Sequence, residues 1–153
     1  MASDFETTCQ AIADLLTLNV SGLADATVYL LAPWNPAELI PDGQRHLAVW
    51  TTGEDAETTE PLTLDSLNSV QEYRVLVWED GGTESSRGVL DDQAASDFYQ
   101  LHNDIRRMFH PFRTFSGVWK VRYRGVRFPE RSSQVRWMEL GVTVDAAIEF
   151  APL

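Results

Sequence analysis

The sequence predicts an α+β fold, an antiparallel sheet of about five strands with two α-helices packed on one face, in a single domain over residues 1–153. Three observations carry this expectation. Residues 136–150, RWMELGVTVDAAIEF, put Met138, Leu140, Val142, Val144, Ala146, Ile148 and Phe150 on one side and Glu139, Thr143, Asp145 and Glu149 on the other. A period of two held that long is a strand with one buried face, because on a helix Leu140, Val142 and Val144 would point along three azimuths. Two other segments repeat apolar residues at helical spacing, and several shorter runs alternate or are β-rich. At about 3.3 Å per residue the last stretch spans about 50 Å, against about 20 Å for an ordinary strand. It therefore either bends or extends toward a neighbour, and its excess length reads as reach.

The first helix is expected over residues 4–16. Ser3 with Glu6 fits a capping box, and Phe5, Cys9, Ile12, Leu15 and Leu16 trace one apolar face. Residues 19–25, with Gly22 and Asp25, read as a turn, and residues 27–31 as a β-rich strand. Pro33, Pro36, Pro41 and Gly43 mark a loop before a short strand at 46–51. Residues 52–69 mix Glu54, Asp55, Glu57, Glu60 and Asp65 with threonines, Gly53 and Pro61, and read as a long acidic loop, either a binding loop or an insertion. Residues 70–79 alternate Tyr73, Val75 and Val77 against Glu72, Arg74, Leu76 and Trp78, a third strand, and Gly81, Gly82 and Gly88 follow as a link. Asp91 is the expected N-cap of a second helix whose apolar series is Ala94, Phe98, Leu101, Ile105 and Met108, with Arg106 and Arg107 in its last turn and Pro111 as its stop. Residues 118–128 alternate Trp119, Val121 and Tyr123 with Lys120, Arg122 and Arg124, a strand with a basic face that bulges or bends at Gly125. The last strand is expected to lie antiparallel beside it.

Composition narrows the function. The formal net charge of −11 argues against general affinity for phosphate backbones. It is unevenly placed: residues 1–100 hold 18 acidic and 3 basic side chains, residues 101–153 hold 9 basic and 5 acidic. If the halves map to different surfaces, copies can associate acid to base; the other reading is scattered surface charge. No apolar run is long enough to cross a bilayer, and the beginning MASDFETTCQ lacks secretory features, which suggests an intracellular product without membrane contact. A single Cys9 permits no internal disulfide and reads as a small packed residue.

No chemistry is legible. His46, His102 and His110 have no partner at zinc-ligand spacing, no glycine-rich phosphate loop follows a strand, and Ser85, Ser86, Ser116 and Ser133 lack a nucleophile elbow. The expectation is no catalytic residue, no metal and no cofactor. Glu139, Asp145 and Glu149 share one strand face and read as a solvated or interface row rather than an acid–base pair, since that face offers no apolar pocket. Lys120, Arg122, Arg124, Arg127, Arg131 and Arg136, interleaved with Trp119, Tyr123, Phe128 and Trp137, superficially match single-strand nucleic-acid binding, but the acidic first two-thirds favours a protein-facing patch.

The element order, with the basic strand and the terminal VRWMELGVTVDAAIEF, resembles tail-terminator proteins of long-tailed bacteriophages. The layout resembles them over most of the chain, the residue texture only over 118–150. The resemblance implies a virion protein, made in the host cytoplasm, that forms a homohexameric ring, stops tail-tube growth and joins tail to head while DNA passes through the channel unread. It implies contact with the tail tube protein and with neck or connector proteins. The arginines and Lys120 would then meet acidic surfaces of a neighbour, Glu54, Asp55, Glu57 and Glu60 would reach toward a partner, and Glu139, Thr143, Asp145 and Glu149 would face a neighbour or the channel. Two alternatives stand beside it: another head–tail connector or stopper, and a small α+β enzyme or ligand-binding domain.

Overall fold

In the computed structural model, residues 4–31, 43–56, 66–80, 89–109, 113–115, 119–128 and 135–149 are described. Helix α1 is Asp4–Asn19, followed by a 3-10 turn at Ser21–Leu23 and strand β1 at Thr27–Tyr29; β2 is His46–Ala56, β3 Ser66–Asp80, helix α2 Val89–Met108, β4 Arg113–Phe115, β5 Trp119–Arg127 and β6 Val135–Glu149. The fold is α+β. The six strands form one sheet in the order β1-β2-β3-β6-β5-β4, antiparallel throughout except that β1 runs parallel to β2.

The alternation of the last strand holds: Met138, Leu140, Val142 and Val144 are fully buried, under the helices. With them pack Leu47 and Val49 of β2, Tyr73, Val75 and Val77 of β3, and Val121 of β5. α1 closes this core with Cys9, Ile12, Ala13 and Leu16, and α2 with Phe98, Leu101 and Ile105. Full burial of Ile12 or Leu16 contributes about 1.5–3 kcal/mol each, so this layer dominates the fold. Both helices lie on this one face. The opposite face carries a smaller apolar cluster of Ala48, Leu76, Trp78 and Val135, against which Trp50 and Trp137 pack.

Several expectations are corrected. β6 does not reach out of the domain; it pairs residue for residue with an equally long β3, from Val135 opposite Asp80 to Glu149 opposite Ser66. The acidic loop is shorter than 52–69, since β2 continues through Gly53, Glu54 and Asp55 to Ala56 and β3 already begins at Ser66. The threonine-rich run is β-prone, and Gly53 supplies the φ of +136° at a bulge that lets the pairing resume after Thr51. α2 starts at Val89, so Asp91 lies inside the helix rather than at its cap. The sheet gains β4, three residues paired antiparallel with β5, and one parallel pair at its other edge. Ser3, Glu57, Glu60, Arg131 and Phe150 lie outside the described residues.

Candidate interaction surface

Strand alternation and register place the residues of the helix-free face in rows running across β2, β3, β6 and β5. At one end His46 of β2 aligns with Trp78 and Trp137. Next come Ala48, Leu76, Glu139 and Arg127, then Trp50, Arg74, Gly141 and Gly125, then Gly53, Glu72, Thr143 and Arg122. Last is the row of Asp55, Val70, Asp145 and Lys120. One half of this face is therefore aromatic and the other charged.

The aromatic half is a cluster of stacked rings. His46 and Trp78 stand 4.9 Å apart between centroids, and Tyr29 of β1 stacks within 5.6 Å of Trp78 while its hydroxyl lies 3.3 Å from His46 Nδ1. The charged half is laced by cross-strand pairs. Arg127 Nη2 donates to Glu139 Oε2 at 2.8 Å, Arg74 Nε lies 3.6 Å from Glu139 Oε1, and Arg122 Nη2 donates to Asp145 Oδ2 at 2.9 Å. All are solvent-accessible, and such pairs contribute about 0.2–1 kcal/mol each. They set the charge pattern of the face more than they hold the sheet together.

Between them lies a shallow basin of ≈ 590 Å³ lined by Glu72, Arg74, Arg124, Gly125, Val126, Arg127, Glu139, Gly141 and Thr143. Its floor is low because Gly125 stands opposite Gly141, so neither strand places a side chain there. Gly125 holds a φ of +120° at a bulge of β5, and the extra residue of that bulge, Arg124, turns its side chain to the basin. Arg124 is exposed and has no hydrogen-bond or ion-pair partner among the described residues. Three guanidinium groups face two carboxylates, so the basin has a net positive charge. It suits a carboxylate or another anion brought by a partner.

The expected site residues fare differently. Arg122, Arg124, Arg127, Glu139 and Asp145 come together on this face, and Lys120 occupies the strand position opposite Asp145. Glu54 and Asp55 are exposed, on a strand rather than in a loop. Glu149 pairs with Ser66 at the far end of β6. Two placements are corrections. Arg136 is buried on the helix side, with Nη1 donating to Glu79 at 3.3 Å and its guanidinium 5.8 Å from the Phe98 ring, so it offers no surface to a partner. Thr143 lines the basin but is itself buried, which leaves it little to present. Arg122 and Arg127 are also engaged within the chain, by carboxylates of the next strand, instead of awaiting a neighbour's.

Sequence reasoning missed Glu72, Arg74 and Gly141 as parts of one basin. Arg74 was visible in the alternation of its strand, and Gly125 as a bend; what brought them to Gly141 is register, which no local pattern records. Away from this face, His102 of α2 and Tyr123 of β5 share a hydrogen bond at 2.8 Å. Burial, with Arg106 as a second cause, lowers the His102 pKa, and burial raises that of Tyr123. No group of three or more His, Cys, Asp or Glu that could hold a metal ion occurs among the described residues, and none of the described helices is long and apolar enough to cross a membrane.

No protein-family model matches the chain, and no curated protein matches it.

Proposed function

We propose that this chain is a structural subunit that assembles with copies of itself into a ring, and that the ring is a phage tail terminator, capping the tail tube and joining tail to head. The observation that carries the reading is the helix-free sheet face, where a sheet that buries one side under two helices presents a ruled charge pattern on the other. A charged face fixed on rigid strands, with Arg122 and Arg127 at the β5 side and Asp55 at the β2 side, suits association of like subunits, because it rewards one orientation and opposes the rest. The residue texture of 118–150, which resembles tail terminators, supplies the setting. The overall formal charge of −11 fits a channel through which DNA must slide without adhering, since an acidic lining repels phosphates. In that setting the further partners are the tail tube protein and the neck proteins.

Mass photometry and negative-stain microscopy of the purified protein test this. Closed rings of uniform stoichiometry support it. A monomer that is stabilised by a small metabolite in a thermal-shift screen overturns it in favour of a ligand-binding domain.

A further inference from the structure

We infer that the outer edge of β2 and the outer edge of β5 are the two halves of a single contact, through which β2 of one copy adds to β5 of the next and extends the sheet from subunit to subunit. The inference rests on the self-association part of the reading above. Its first ground is coverage. β1 pairs with β2 only at residues 46–48, so residues 49–56 of β2 have no outer strand among the described residues. β4 pairs with β5 only at residues 119–121, so residues 122–127 have none either. Such edges present rows of backbone N–H and C=O groups that another strand can satisfy.

The second ground is charge. The free part of β2 carries Glu54 and Asp55, both exposed and without partners among the described residues; the free part of β5 carries Arg122, Arg124 and Arg127, all exposed, with Arg124 unpaired. Pairing β2 with β2, or β5 with β5, would set like charges side by side, which is destabilising. Pairing β2 with β5 sets carboxylates against guanidinium groups and gives Arg124 the carboxylate that the described residues of its own chain do not provide. By register Asp55 lies on the same sheet face as the basin, so the partner's Asp55 is the side chain best placed to reach it.

The third ground is shape. Each free edge is interrupted by a bulge with a glycine at positive φ, Gly53 in β2 and Gly125 in β5. A bulged edge bends away from a flat strand and so resists indiscriminate pairing. A contact between unlike edges is head-to-tail: an open chain of copies keeps one unused edge of each kind, at its two ends, and becomes a ring where the rotation per copy closes and a filament where it does not.

Charge reversal tests the contact. Arg124→Glu and Asp55→Lys, each alone, are expected to weaken association at least about tenfold at low salt, a shift of about 1.4 kcal/mol, read as loss of rings in mass photometry. The same two changes in one chain should restore rings, because the swapped charges meet again. Both residues are exposed, so the variants should fold, which circular dichroism checks. Rings that persist unchanged in both single variants overturn this contact while leaving the ring reading intact. A wild-type protein that stays monomeric at every concentration tested overturns the contact as well, and the absence of rings then separates that failure from the first.

Discussion

Arg45 donates two hydrogen bonds to one carboxylate oxygen of Glu79, from Nε at 2.9 Å and from Nη2 at 2.6 Å, while its Nη1 donates to the Gly22 carbonyl at 2.6 Å. Arg136 Nη1 takes the other carboxylate oxygen at 3.3 Å. Glu79 thus ties the turn after α1, the start of β2 and the start of β6 to the end of β3. Glu79→Ala would leave two guanidinium groups near each other, one of them buried, and is expected to cost about 3 kcal/mol. Glu79→Gln keeps the shape and should cost less. Urea unfolding midpoints check both, and an Ala variant as stable as the wild type would show that the cluster is dispensable.

His102 makes stability depend on pH. Its ring shares a hydrogen bond with the Tyr123 hydroxyl, meets the Phe128 ring edge-on at 5.7 Å, and has its pKa held below the ordinary 6.5 by burial first and Arg106 second. The unfolded chain therefore takes up this proton at a higher pH than the folded one. Its contribution is complete above 6.5 and is lost as pH falls from there toward the depressed folded value. Comparison with the variant isolates His102: the wild type should lose more stability on mild acidification than His102→Gln. Parallel urea curves for the two across that window would refute it.

Cys9 reports on opening of the core. Burial, aided by the Glu6 carboxylate, pushes its thiol up to about 11. Since the thiolate is the reactive form, a disulfide reagent at mildly alkaline pH should leave the native protein almost unlabelled and modify it fully in denaturant. Rapid labelling without denaturant would mean that α1 detaches from the sheet.

The two facing glycines of the basin should respond differently to a methyl group. At Gly125 a Cβ would meet nothing within 4 Å, but the φ of +120° is strained for an L-residue, so Gly125→Ala is expected to cost about 1–3 kcal/mol through the backbone alone. At Gly141 a Cβ would lie 2.9 Å from Arg74 Nη1, the mobile end of a long side chain that can swing aside. Gly141→Ala should therefore cost little stability. Thermal unfolding of the pair gives the order directly, and equal losses would contradict it.

What the sequence disclosed was the part governed by local period. The buried faces of α1 and β6 are the ones that spacing predicts, and Phe98, Leu101 and Ile105 of α2 point inward as expected. Elements defined by their partner escaped. β4 is three residues long and exists because β5 lies beside it, β1 runs parallel to β2 for only three pairs, and the acidic run at Glu54 and Asp55 becomes a strand because Gln71 and Val70 stand opposite. The surface shows the same divide. The alternation of Arg122 and Arg124 announced a basic strand, but the carboxylates that neutralise Arg122 and Arg127 sit on the neighbouring strand. Arg136 continues the basic series in sequence, yet the pleat sends it to the covered side, where Glu79 makes its charge tolerable.

The bulges in β2 and β5 fall on either side of one row, in which Thr51, Tyr73, Val142 and Tyr123 align. Each outer strand takes one residue more than the central pair to cover the same distance, and a bulge steepens the local right-handed twist. Both outer strands therefore bend and twist next to that row, which separates the acid-tipped end of β2 from the stacked rings of Tyr29, His46 and Trp78. A flat, rigid surface therefore follows the sheet on one side of this row at the expense of the other.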